Sequence, residues 1–153
     1  MLNVRIASPD EYERITAFYR ETAYRPPIHP TDVLVIAEDA DGICGALRLC
    51  MEEGVIVLRG MRVAADRQRQ GIGTRLLEGA GGAISDQECY CIPHRRLRAF
   101  YSQAGFAEVP LGECPSFLRD RWRQYTEEYA LDVILMRRPP VPASARPAPA
   151  GPI

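Results

Sequence analysis

Residues 63–77 read VAADRQRQGIGTRLL: the end of an apolar strand, a short turn rich in Arg and Gln, and a helix opened by two glycines. That layout aims several backbone N–H groups, and the positive end of a helix dipole, at one small volume. A phosphate group is its natural occupant. Gly71 and Gly73 have no Cβ, so the main chain can turn sharply and approach a ligand closely. Arg69 and Gln70 add donors at the rim, and Arg can fork onto phosphate oxygens. An ordinary strand–helix turn with two glycines is the competing explanation, and the turn alone does not decide between them.

Several elements must hold this turn in place. Residues 3–7 read as a short strand, and Ser8 or Asp10 can cap a helix over 11–21 with an apolar stripe of Ile15, Phe18 and Tyr19. Residues 24–31 form a Pro-rich loop. Apolar runs over 32–38 and 43–51 flank Asp39-Ala40-Asp41-Gly42, a hairpin signal, and a long strand follows over 55–63. A helix is expected over 72–83, with Gly79, Gly81 and Gly82 weakening its end. A short strand over 88–92 stops at Pro93, and a helix over 95–104 closes at Gly105. The pattern then predicts the start of a strand over 106–109, an amphipathic helix over 116–128 and a final strand over 129–136. This order implies an α/β or α+β fold with one mixed sheet covered by helices. From Pro139 the sequence PPVPASARPAPAGPI has the composition of a disordered tail over 139–153, leaving a single domain over 1–138.

Composition narrows the function. Hydrophobic residues at 46% and charged residues at 25% are typical of a soluble globular chain. No apolar run approaches the roughly 20 residues needed to span a membrane, and the N-terminus lacks a signal-peptide core, so a cytoplasmic protein is expected. A net charge of -1 argues against a general nucleic-acid binder. All 19 basic residues are Arg, which removes any lysine nucleophile or Schiff base. The five cysteines lack a CxxC pair and zinc spacing, so reduced thiols and no metal site are expected.

A second motif, AFYSQAGF over 99–106, ends the helix after the Cys89–Cys91 strand. Together with QRQGIG some 30 residues earlier, it resembles the GNAT N-acetyltransferase superfamily. Members of that family show a V-x(4)-[QR]-x-x-G-x-[GA] turn and a later FY-x-x-x-GF helix end. Val63, Gln68, Gly71 and Gly73 match the first element; Phe100, Tyr101, Gly105 and Phe106 match the second. The resemblance implies a mixed, mostly antiparallel sheet whose fourth and fifth strands splay apart. It implies acetyl-CoA as cosubstrate, with the pyrophosphate on Gln68, Arg69, Gln70, Gly71, Ile72, Gly73 and Thr74. The pantetheine arm would pair with the backbone of Met61, Arg62 and Val63 like an added strand.

By the same resemblance, Tyr101 is the general-acid candidate for the departing thiolate; packing against the CoA sulfur is the alternative. The implied reaction is acetyl transfer to a primary amine of a small molecule or peptide, with neither nucleic acid nor membrane as partner. A homodimer is compatible with the pattern. A non-catalytic acetyl-CoA sensor or interaction module is the competing class.

The chain also departs from the family. Many members carry an Asn seven residues before the Tyr, where this chain has His94. His94 can hydrogen-bond pantetheine, act as base on the amine, or cap the helix after Pro93. No other base stands out: Glu52 and Glu53 read as solvated turn charges, and Glu88 as a weaker candidate on the fifth strand. A thiol mechanism through Cys91 and His94 competes with the commoner role of strand cysteines as small hydrophobes. The acceptor pocket would draw on Tyr24, Arg25, His29, Glu52, Glu53, Phe117 and Trp122. Arg25 suits a carboxylate; Glu52 or Glu53 suits an amine.

Overall fold

The computed structural model describes residues 1–25 and 27–141. Its strands are β1 (Asn3–Ile6), β2 (Val33–Asp39), β3 (Gly42–Glu52), β4 (Val55–Val63), β5 (Cys89–Cys91), β6 (Ala107–Glu108) and β7 (Met136–Arg138). The helices are α1 (Tyr12–Glu21), α2 (Ile72–Ile84), α3 (Arg98–Ser102) and α4 (Ser116–Arg123). The expected tail lies outside the described residues from 142 onward, as does Pro26 of the Pro-rich loop.

The strands make one sheet in the order β1-β2-β3-β4-β5-β7-β6. Among the described residues, only β4 and β5 run parallel, because α2 carries the chain between them. All other pairings are antiparallel.

Both faces of the sheet are covered, which explains why the central strands read as continuous apolar runs. On one face, Ile72, Leu76, Leu77 and Ala80 of α2 pack with Tyr101 and Phe106 against Val35, Leu47, Leu58 and Cys89. On the other face there are two separate clusters. Ile15, Phe18 and Tyr19 of α1 cover Leu34, Ile36 and Ala46, whereas Leu118 of α4 covers Val57, Tyr90 and Leu135.

Some boundaries differ from the sequence expectation. The helix expected over 95–104 is a 3₁₀ turn at Arg95–Leu97 followed by the short α3. The one over 116–128 changes at Arg123 into a π-type turn, Gln124–Glu128. The final strand begins only at Met136; ahead of it, Val133 makes a single antiparallel bridge with His94. The glycines of α2 do not shorten it, since the helix runs to Ile84. A Cβ on Gly79 would sit 3.0 Å from Val4 and 3.2 Å from Val35, so that glycine lets α2 lie close on the sheet.

Candidate active site

The turn between β4 and α2 is held from both sides. The Gln68 side-chain amide donates to the Val63 carbonyl at 3.4 Å. Arg67 donates to Gln70 Oε1 at 3.3 Å and is itself ion-paired with Asp39 at the β2–β3 turn. Arg69 and Gly71 both sit at positive φ, +65° and +79°, which bends the chain tightly before the helix. The first bond closing α2 runs from Arg75 N–H to the Gly71 carbonyl at 3.1 Å. Among the described residues, the amides from Gly71 to Thr74, ahead of that bond, donate to no acceptor. Unmatched N–H groups at the start of a 13-residue helix are what an anion needs.

Upstream of this turn the sheet opens. β4 and β5 share only two rungs, Ile56 with Cys89 and Val57 with Tyr90. Beyond Val57, the β5 side of β4 has no strand beside it, and the chain after Cys91 turns instead to Val133 and Ile134. A cavity of about 380 Å³ fills the opening, bounded by residues of β4, the Cys91–Leu97 segment, Tyr101 and α4. Met61 and Arg62 line it, and Val63 continues from it toward the turn.

Tyr101 is 5% exposed and borders this cavity. Its ring meets Phe100 edge-on at 5.1 Å and Phe106 at 6.0 Å, so its position is set by packing. Burial pushes its phenol pKa well above the usual value. Tyr101 is therefore a neutral hydrogen-bond donor at any working pH, and its hydroxyl has no protein partner among the described residues.

His94 is exposed, borders the same cavity and precedes the 3₁₀ turn. Its carbonyl accepts from Leu97 N–H, but its side chain makes no capping bond, so the side-chain cap is not what this residue provides. Cys89 and Cys91 are fully buried, and desolvation pushes Cys89 up to about 12 and Cys91 well above the ordinary thiol value. A thiolate nucleophile has no support there. Glu88 lies outside β5, ion-paired with Arg137 at 2.5 Å.

Glu52 is not a solvated turn charge. Arg121 of α4 grips both its carboxylate oxygens, at 3.1 and 2.6 Å, tying α4 to the end of β3. Glu53 is exposed at the turn. Phe117 and Trp122 serve α4 rather than the cavity: Phe117 lies under the Arg121 guanidinium, and Trp122 Nε1 donates to the Val133 carbonyl at 2.9 Å. Arg25 and His29 border a second cavity that shares Tyr24 and Arg59 with the first.

Tyr24 sits at the junction of the two cavities. Helix α1 ends with Ala23 at φ +60° and Tyr24 N–H donating to the Tyr19 carbonyl, a termination that turns Tyr24 over the sheet. Its hydroxyl accepts from Arg48, itself buried and paired with Asp32 at 2.9 Å. The ring rests on Gly60, where a Cβ would come within 2.8 Å of it. Gly60 has φ +66° and lies in a β-bulge: Arg48 faces Arg59 while Ala46 faces Arg62. Arg59, Arg96, Arg121 and Tyr125 also line the main cavity and were not singled out as site residues from sequence. A glycine inside the strand VIVLRGMRV was the available signal of an irregularity.

Comparison with known proteins agrees with this geometry. A family model described as an acetyltransferase (GNAT) domain matches residues 30–108, a stretch that contains both motifs. No curated protein matches the chain. Among solved structures, the ribosomal-protein-S18-alanine N-acetyltransferase of Escherichia coli superposes with a TM-score of 0.67 at 15% identity, covering 100% of this chain and 99% of its own. An acyl-CoA N-acyltransferase from Pseudomonas aeruginosa gives 0.63 at 20% identity, covering 90% and 98%. The N-acetylglutamate synthase of Neisseria gonorrhoeae, solved with coenzyme A and N-acetyl-glutamate, gives 0.62 at 15%, covering 90% of this chain and 35% of its own. These likenesses show the fold. That fold is, in this chain, a mixed and mostly antiparallel sheet with β4 and β5 parallel.

Proposed function

Because the chain belongs to the GNAT acetyltransferase family, we propose that it moves an acetyl group from acetyl-CoA to a primary amine of a small molecule or peptide, by direct attack. One observation carries the reading. The open edge of β4 runs straight into a turn and helix start whose amides, from Gly71 to Thr74, have no acceptor among the described residues. An amide-bearing arm ending in a diphosphate matches both parts of that surface.

The residues present fit acetyl-CoA, which supplies an acetyl group activated as a thioester. The backbone of Met61, Arg62 and Val63 is the edge that orients the arm. Gln68, Arg69, Gln70, Gly71, Ile72, Gly73 and Thr74 hold the diphosphate through main-chain N–H groups. Tyr101 presents its hydroxyl in the cavity as the donor to the leaving sulfur. With its pKa raised by burial, Tyr101 gives up its proton only as negative charge builds on that sulfur. His94, exposed at the mouth, is placed to accept a proton from the incoming amine.

Titration calorimetry with coenzyme A, followed by thiol release from acetyl-CoA with a panel of amines, tests the proposal. Heat of binding and amine-dependent turnover are expected. Absence of binding, or binding unaffected by changes in the 68–74 turn, would refute the site.

A further inference from the structure

The cavity that joins the acyl-transfer site to the α1–α4 face is lined by Arg59, Arg62, Arg96 and Arg121 and by no carboxylate. Of these four guanidiniums, among the described residues, Arg121 alone holds a carboxylate at hydrogen-bond distance. Arg62 lies over the Tyr24 ring, 5.2 Å from its centroid, with no carboxylate in ion-pair range among the described residues. Arg59 approaches Glu52 only at 3.9 Å, and both oxygens of Glu52 are already taken by Arg121. The neighbouring cavity adds Arg25 and the Arg121-bound Glu52, while its buried Arg48 and Asp32 neutralise each other.

The pairing of the cations follows from the bulge. In a regular strand, residues three apart face opposite sides of the sheet. Here Arg59 pairs with Arg48 and Arg62 with Ala46, and Arg48 and Ala46 share one face of β3. Gly60 and Met61 together oppose a single residue, which brings both guanidiniums to the same side. Tyr24, held by Arg48 and seated on Gly60, forms the floor between them.

From this juxtaposition we propose that the amine acceptor is a small molecule that also bears a carboxylate, and that Arg59 and Arg62 receive that carboxylate. The inference rests on the acyl-transfer reading above and names the substrate class of the same site. A guanidinium in a concave site, whose protein counter-charge is absent or already engaged by another guanidinium, is a ready receptor for a planar anion. Simple di- and polyamines meet repulsion from the same groups. Arg is always protonated, so the selectivity persists across the working pH range.

The test compares α- and ω-amino acids with their own carboxamides and with diamines of matching length. Each is assayed for thiol release from acetyl-CoA by the full-length protein. Binding of N-acetyl amino acids and of their carboxamides to the CoA-saturated protein is measured in parallel by calorimetry. The carboxylate member of a pair is expected to be preferred about tenfold or more, in turnover or in product binding. Arg59→Gln is expected to raise KM for the carboxylate substrate about tenfold, with a much smaller effect on its carboxamide, and Arg59→Lys to restore part of the preference.

Equal use of acid and amide, preference for the diamine, or no discrimination in either measurement overturns the inference. Calorimetry with coenzyme A keeps the two claims apart. CoA binding without carboxylate discrimination defeats only the substrate class; a protein that binds no CoA defeats the acyl-transfer reading itself.

Discussion

Gly73 and Phe100 lie so close that a Cβ placed on the glycine would stand 3.3 Å from the phenyl Cζ and 3.5 Å from Cε1. One belongs to the first turn of α2, the other to α3, and the same phenyl ring meets Tyr101 edge-on. The two sequence motifs are therefore one packed unit. The glycine turn that opens α2 is braced by the helix that carries Tyr101.

A double-mutant cycle reads this contact directly. Gly73→Val crowds the ring and is expected to cost about 1–3 kcal/mol as an overpacked contact. Phe100→Ala also destabilises, by removing packing around Tyr101. In the double variant the ring is gone, so the valine costs less than it does alone. Urea unfolding of all four proteins measures the coupling, and strict additivity would show that the contact carries no energy.

Gly71→Glu separates binding from folding. No atom lies within 4 Å of a Cβ at this position, so the steric cost is small, and the positive φ costs only about 1 kcal/mol. The new carboxylate sits where the diphosphate is proposed to lie. The apparent Kd for acetyl-CoA is expected to rise about tenfold or more while the protein stays folded by circular dichroism. Unchanged affinity would place the ligand elsewhere.

Tyr101→Phe keeps the ring stacked against Phe100 and Phe106 and removes only the hydroxyl. Turnover is expected to fall about 100-fold or more, with Kd for acetyl-CoA and the melting temperature little changed. A variant with full turnover would reduce this tyrosine to a packing residue.

Alkaline pH should destabilise the protein, starting near the thiol range. Burial raises Cys50 and Cys89 to about 12, and it also raises Cys91, Tyr19 and Tyr101. In the unfolded chain thiols ionise near ~8.5 and phenols near ~10. Above those values the unfolded state binds fewer protons than the folded state, so stability falls as pH rises. It is fully present below about pH 8.5 and is lost progressively toward and beyond pH 12. Urea unfolding from pH 7 to 11 should show a declining midpoint, and Cys89→Ala should flatten the early part of the decline. A midpoint independent of pH would contradict the burial of these groups.

Sequence pattern was a good guide wherever local chemistry decides structure. Helix α2, the Asp39–Gly42 hairpin and the Gly71 turn all follow from residues next to one another. The site was harder to read where distant segments meet. Glu52 looks like a free turn charge until Arg121, 69 residues on, is folded against it. Strict alternation along β4 places Arg59 and Arg62 on opposite faces, and only the bulge at Gly60 reverses that. Leu131 and Val133 carry the apolar signature of a strand. The bridge of Val133 to His94 replaces a ladder, because β5 ends at Cys91.

Among the described residues, two rungs, at Ile56 and Val57, are the whole of the strand pairing between β1–β4 and the panel made by β5, β7 and β6. At the rim of a sheet, bare strand polar groups invite a stranger's backbone and, with it, aggregation. Here the unpaired row of β4 borders a cavity within the fold rather than the rim of the sheet. If the arm of acetyl-CoA lies there as proposed, this sticky margin admits one slender guest, which would then work as the missing seam of the barrier it slipped through.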